Sequence, residues 1–334
     1  MVTPLSGPLA RYGRAGATAL ALWAQREAVR LTVHDAHPDP VAAIHRAEAD
    51  RPELIFGPYG SGPTRRVAAA TSRLLFNHGG ARAGTAGNVV SVLAAASSYL
   101  VGALEAVRRA DRDLRRVSVA HGDTGFGRAV ADGAAAAAGE LGVLVERAVL
   151  PDDPPGADLL LVAGGFRDEL ASARRLLPGQ WRAAAFVGAG VEEVLAPLGA
   201  GREGLLGPAQ WLPSAVPQPD EGPTAAEFVT AYRHRTGEDP PYPAAQAFAA
   251  GLIAGRCLRE AGSADDGALL VVARRLDITT MFGSFRLDPD TGQQVGHRVL
   301  TVQWQDGARH VVWPPGRADA VLRHPLSAAS RSTS

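Results

Sequence analysis

Short apolar runs alternate along most of this chain with longer stretches in which apolar positions recur at helical spacing. Leu31–His34, Glu53–Phe56, Arg116–Ala120, Val143–Leu150, Asp158–Ala163 and Ala183–Val187 read as strands. Several are apolar throughout, as expected where both faces of a sheet are covered. Between and after them, Val41–Ala49, Thr64–Leu75, Ser98–Arg109, Ala129–Leu141, Glu169–Leu177, Val191–Leu198, Ala225–Arg235 and Ala244–Glu260 read as helices. Repeated βα units predict parallel sheets flanked by helices.

Two stretches depart from this rhythm. The Pro-rich segment from Trp211 to Pro223 reads as a linker or crossover. After Gly283 the pattern becomes strand (Gly283–Leu287), turn (Asp288–Gly292), strand (Arg298–Gln305), turn, strand (Arg309–Trp313), and Asp306-Gly307 is a strong hairpin signal. From Gly316 the chain reads as a polar, Ser-rich, frayed tail. The βα rhythm occurs once before and once after the region Leu93–Ser97, which points to two similar lobes.

Composition narrows the chemistry. The 334 residues suffice for two domains with their own cores. The 34 basic and 34 acidic residues balance, so no basic excess points to nucleic acid or anionic lipid. No lysine is present, which excludes Schiff-base and P-loop lysines. Cys257 is the only cysteine, in an apolar helical run, and reads as a small buried core residue. No stretch is apolar and long enough to span a bilayer. Residues Met1–Leu9 show no charged n-region, apolar h-region or lipobox cysteine, so no export signal is read there.

Familiar catalytic signatures fail in turn. Gly57–Gly62 has phosphate-loop spacing, but the lysine is missing and Pro63 supplies no N–H. Gly188-Ala-Gly190 lacks the third glycine of a dinucleotide fingerprint. No Gly-x-Ser-x-Gly elbow occurs. His34 and His37 could share a metal, but no further ligand stands near them, and a solvated loop is the plainer reading. Asp288–Gly292 lacks the closing glutamate of a calcium loop, since the twelfth position is Val299. The expectation is a protein without catalytic activity and without a cofactor or metal.

Four loops following strands combine glycine with a hydroxyl or aromatic group: Ser6–Gly13, Gly57–Thr64, Asn77–Arg82 and Gly122–Gly127. Small residues there would let a ligand approach the backbone N–H groups at helix starts. In order along the chain, these segments resemble the type I periplasmic binding proteins, specifically the leucine/isoleucine/valine-binding branch that serves ABC importers. The likeness is carried by TPLSGPLARYG from Thr3, HDAHPDPVAAIHRAEA from His34, LIFGPYGSGPTRRVA from Leu54, NHGGA from Asn77, VSVAHGDTGFGRAVADGAAAAAGELG from Val117, FVTAYRHRTGEDPPYPAAQAFAAG from Phe228 and FGSFRLDPDTGQQVGHRVLTVQW from Phe282.

The resemblance implies an α/β fold of two doubly wound, Rossmann-like lobes joined by three crossovers, closing by a hinge on a small polar ligand in the cleft between them. It implies residues 1–95 plus 217–284 as one lobe, 96–216 plus 285–316 as the other, and 317–334 as a flexible tail. Tyr12 would be a first-loop aromatic, and Ser61 and Gly62 would meet a ligand carboxylate. Gly79, Gly80 and Ala81 would offer backbone groups, and Phe126, Phe166 and Gln246 would complete the walls. The ligand would be an amino acid, an amide or a small carboxylate, and the partner an ABC permease if the protein is exported. A monomer or weak dimer with no nucleic-acid partner is expected. Family likeness implies an extracytoplasmic place; a cytosolic ligand sensor of the same fold is the alternative if Met1 is the true start.

Three departures bear on the ligand. Gly62 stands where amino-acid binders often carry a second serine. Ala81 followed by Arg82 stands where they carry threonine or serine. Gly190 stands where branched-chain binders place a glutamate for the ligand ammonium, with Glu192 and Glu193 nearby. Burying an ammonium without an anion is costly, so an anionic or aromatic acid, or an amide, is expected instead. Arg82, Asp123 and Arg167 are candidates to face it.

Overall fold

A computed structural model describes residues 1–81 and 87–325. The chain divides into two compact units and passes between them three times. Met1–Ala95 and Trp211–Arg298 make the first; Ala96–Gln210 and Val299–Ser334 make the second. Two stretches that the resemblance groups with the second lobe, 211–216 and 285–298, lie in the first unit. The Trp211 indole donates to Met281 O (2.9 Å), Phe285 and Leu287 enter the first unit's core, and Gln294 Nε2 donates to Val92 O (3.3 Å).

The first unit opens with β1 (Val2–Thr3), α1 (Ala10–Arg26), β2 (His34–Asp35), α2 (Pro40–Ala49), β3 (Ile55–Phe56), α3 (Ser61–Ala70), β4 (Leu75–Asn77) and β5 (Val89–Ser91). β1 pairs with β2, and β3, β4 and β5 form a second ladder; all these pairings are parallel. α2 begins where its sequence says it should. Asp39 accepts from Val41 N (3.0 Å), and Pro40 spends no donor in the first turn. α3 starts earlier and stops earlier than the periodicity suggests, because Leu75 is drawn into β4 beside Ile55.

The second unit follows with α4 (Val101–Ala110), β6 (Arg116–His121), α5 (Gly125–Glu140), β7 (Leu144–Val149), β8 (Leu159–Ala163), α6 (Phe166–Leu176), β9 (Ala183–Phe186) and β10 (Leu206–Ala209). The helix expected at Val191–Leu198 does not form. Short 3-10 turns occupy Val187–Gly190 and Ala196–Arg202, where Pro197 removes a donor and Gly199 (φ 53°) breaks the helical path.

Back in the first unit are α7 (Ala225–Thr236), α8 (Tyr242–Ala261), α9 (Asp266–Arg275), β11 (Asp277–Thr280) and β12 (Gly283–Arg286). α7 has a reciprocal cap between Thr224 and Glu227 and ends on Gly237 in the left-handed region. α8 is buried along most of its length and packs on α1. The Trp23 ring lies where a side chain at Gly251 would be, 2.5 Å from its Cβ position, so the two helices meet at backbone distance. Helices α1 and α9 are additions to the elements read from the pattern.

β13 (Leu300–Gln305) and β14 (Ala308–Trp313) complete the second unit. Its seven-stranded sheet runs β14-β13-β10-β9-β8-β6-β7, parallel except for β13 and β14. The hairpin at Asp306-Gly307 is as expected, with both residues at positive φ (54° and 80°). The turn at Asp288–Gly292 does not join β12 to β13. β12 pairs with β11 instead, and a single bridge, Leu287 to Gln294, follows it.

The tail is not frayed from Gly316. Gln303 Oε1 accepts from Arg323 N (2.8 Å), and Gln305 Nε2 donates to Val321 O (2.8 Å). His324 Nε2 lies 3.0 Å from the buried Asp111 carboxylate. The remainder, 326–334, lies outside the described residues.

Candidate functional site

In open α/β sheets the carboxyl ends of parallel strands are where ligands meet loops and helix starts. Each unit presents one such edge.

In the first unit, the loop after β3 and the turn after β4 are locked together. Gly60 N donates to Gly79 O (2.9 Å), and Tyr59 bridges Gly79. The Asn77 side chain organises the turn. Its Oδ1 accepts from Gly79 N (3.1 Å) and Gly80 N (2.8 Å), and its Nδ2 donates to Gly80 O (2.9 Å). The N–H groups of Gly79 and Gly80 are therefore engaged within the turn. Both positions need glycine for closeness: an added Cβ would sit 2.6 Å from Tyr59 Cα at Gly79 and 2.4 Å from Thr64 Oγ1 at Gly80. Ala81 is half-buried beside the first unit's core, and Arg82 lies outside the described residues.

Ser61 and Gly62 open α3 at this edge, where Pro63 supplies no N–H and Thr64 N donates to Gly60 O (3.0 Å). A Cβ at Gly62 would meet nothing within 4 Å, so the missing second serine is not excluded by space. Tyr12, in the first turn of α1, stacks on Tyr59 at 5.1 Å and 23°. Tyr242 lies 6.4 Å from each, and its hydroxyl is hydrogen-bonded to that of Tyr59. One turn along α8, the Gln246 amide is buried with no hydrogen-bond partner among the described residues. The fully buried His78 ring has none there either, and burial chiefly lowers its pKa to about 4, leaving it neutral. Tyr59 and Tyr242 escape a reading that treats the Gly57–Thr64 loop as backbone and the start of α8 as core.

In the second unit the edge follows β6, β8 and β9. Gly122 N donates to Ala163 O (2.8 Å), joining the first two crests, and the Thr124 side chain caps α5. Phe126 is half-buried and packs edge-on to Tyr99 at 5.5 Å and 80°. Asp123 is exposed and paired with Arg128. Phe166 begins α6, half-buried, and Arg167 beside it is exposed.

The residue that organises this edge is Glu169. Its side chain is fully buried. Oε1 accepts from Gly164 N (2.9 Å) after β8, and Oε2 accepts from Gly188 N after β9. Burial pushes its carboxyl up to about 8 against the opposing pull of the two N–H groups. In sequence it is one more acid in a helix's first turn, where acids are ordinary, so nothing marks it out.

The turn after β9 is held from a third side. Trp304 Nε1 donates to Ala189 O (2.9 Å) and Arg309 Nη1 to Gly190 O (2.6 Å). Arg309 also pairs with Glu192 at 3.1 Å, and Arg202 lies 3.8 Å over the Trp304 ring. A Cβ at Gly190 would stand 1.7 Å from Pro208 O, so this backbone carries no side chain there. No cluster of three or more His, Cys, Asp or Glu suited to a metal occurs among the described residues. Nor is any helix there long and apolar enough to cross a membrane.

A family model described as periplasmic binding protein matches residues 1–309. A leucine binding protein LivK from Thermotoga maritima MSB8 has a similar structure, with TM-score 0.77 and 18% identity over 93% of this chain and 96% of that one. A solute binding protein of an ABC transporter from Rhodopseudomonas palustris BisB5, in complex with 3,4-dihydroxybenzoic acid, gives 0.72 and 16% over 92% and 93%. A putative branched-chain amino acid ABC transporter from Silicibacter pomeroyi gives 0.77 and 15% over 97% and 99%. No curated protein matches the chain.

Proposed function

Because the chain belongs to the periplasmic binding protein family, we propose that it captures a small carboxylate lacking an α-ammonium, with an aromatic acid the best fit, and delivers it to an ABC permease. The fold and family are those of binding proteins rather than enzymes. Export from the cytoplasm and closure of the two units on the ligand are parts of this proposal.

The observation that carries the ligand class is the backbone at Gly190. An amino-acid ligand buries a positive ammonium and needs an anion beside it. The position matching the family's glutamate has no room for a side chain, and Glu192 is engaged with Arg309. The first unit offers what an aromatic acid needs: three tyrosine rings and the start of α3, where the N–H groups of Ser61 and Gly62 favour a carboxylate. With the N–H groups of Gly79 and Gly80 engaged by Asn77, we assign that turn a shaping role. Ser61 and the start of α3 take the carboxylate, and Tyr12, Phe126, Phe166 and Gln246 contribute walls. The benzoate-type ligand of the R. palustris protein is consistent with this reading.

Calorimetry with benzoate, 4-hydroxybenzoate, 3,4-dihydroxybenzoate, leucine and leucinamide tests the proposal. The expected result is binding of at least one aromatic carboxylate and none of leucine. Leucine binding more tightly than every aromatic acid overturns the ligand class. Small-angle scattering with and without the bound acid tests closure, which requires a smaller radius of gyration in the complex.

A further inference from the structure

The buried carboxyl of Glu169 has no role in the proposed ligand contacts, and its surroundings call for one. No ion pair among the described residues compensates it; the N–H groups of Gly164 and Gly188 are its hydrogen-bond donors. An apolar side chain of similar volume would fill the site without the desolvation cost. What it would not do is join two turns that approach from different strands. Gly164 is 5 residues from Glu169 and Gly188 is 19, so the carboxyl links a local turn to a distant one. Both turns sit at the strand ends, flanked by the half-buried Phe166 on one side and the sealed Gly190 on the other.

We propose that Glu169 is the positioning residue of the second unit's binding edge, holding the Gly164–Phe166 crest and the Val187–Gly190 turn at a fixed separation so that ligand meets a preformed surface. The inference rests on the reading above only in taking these strand ends to meet the ligand. A preformed edge avoids the ordering cost that two loose turns would bring to binding. Glu169 reaches the ligand through these turns and does not touch it.

The test uses the full chain carrying Glu169→Ala, Glu169→Gln or, as control, Leu176→Ala. The control removes a buried core side chain from the same helix and leaves the tether intact. Hydrogen exchange of the unliganded proteins is followed in peptides covering 164–166 and 187–190, and benzoate affinity by calorimetry. Glu169→Ala is expected to speed exchange in both peptides roughly tenfold, since two buried donors lose their acceptor. Glu169→Gln keeps one acceptor oxygen and turns an NH2 toward the other N–H, so one peptide speeds up and the other does not. Leu176→Ala leaves both at the wild-type rate. Benzoate affinity is expected to fall about tenfold in the alanine variant, about threefold in the glutamine variant and not at all in the control.

Unchanged exchange in Glu169→Ala overturns the proposal, and so does equal loosening in Leu176→Ala. A wild type that binds benzoate as tightly as Glu169→Ala does so too. If the wild type binds no benzoate while the exchange pattern holds, the tether stands and the ligand reading falls.

Discussion

The two edges solve one problem with different chemistry. Each must fix turns at the ends of parallel strands. The first unit uses Asn77, a neutral side chain whose turn partners lie two and three residues away. The second uses Glu169, an ionisable side chain whose farther partner lies 19 residues away. A neutral local tether is indifferent to pH and forms with its own turn. A buried carboxyl answers to protons and can form only after β9 is in place. The Asn77 tether is thus mostly local, with one donation reaching Ser91 Oγ on β5, while the Glu169 tether is collective.

The comparison breaks most sharply at Gly190. Gly190→Ala is expected to destabilise the protein by about 3 kcal/mol or more, because its Cβ must displace the Pro208 carbonyl. Chemical denaturation measures it, and a change under about 1 kcal/mol would show that the turn yields easily. Gly62→Ala, at a position open to space, is expected to be nearly silent in the same assay.

Next in size is Asn77→Ala, which leaves two turn N–H groups and one carbonyl without their partner. A loss of about 2–3 kcal/mol is expected, independent of pH. Asn77→Asp still accepts from both N–H groups and should recover about half. If Asp behaves like Ala, the turn is not held by acceptance at Oδ1.

Glu169 makes the contrast through pH. Its folded value, about 8, lies above the ordinary 4.5, so the unfolded chain releases this proton first as pH rises. The stability carried by the neutral carboxyl is complete below about 4.5 and is lost as pH rises through about 8. Unfolding free energy measured between pH 5 and 9 is expected to decline in the wild type and to decline less in Glu169→Gln. Parallel profiles would sink the assignment. A smaller loss belongs to the tail: His324→Ala removes a contact with Asp111 and should cost about 1 kcal/mol.

How much was legible depended on where the information lay. β8 and β9 are legible because their residues are apolar throughout, and β6 because Val117, Val119 and Ala120 form a short apolar run. α2 and α7 were marked by their own caps. At Val191–Leu198 the apolar spacing predicts a helix, while Pro197 and Gly199 decide the backbone. At the site, glycine-rich loops announced themselves, but their use did not. That Gly79 and Gly80 spend their donors on Asn77 follows from a turn geometry. That Gly190 excludes a side chain follows from a carbonyl in β10, eighteen residues on. Glu169 could not be told from a solvated acid until Gly188 was brought to it.

The sheet order carries one further consequence, for synthesis. β13 is the antiparallel neighbour of β10 and arrives about ninety residues after it. During translation, the first unit's return segment, α7 to β12, must emerge before β10 acquires that neighbour. Until then a nascent chain exposes one flank of β10, with its backbone groups open to any other strand. A pause after β10 has emerged and before β13 follows prolongs that exposure, and aggregation through the open flank is the hazard it brings.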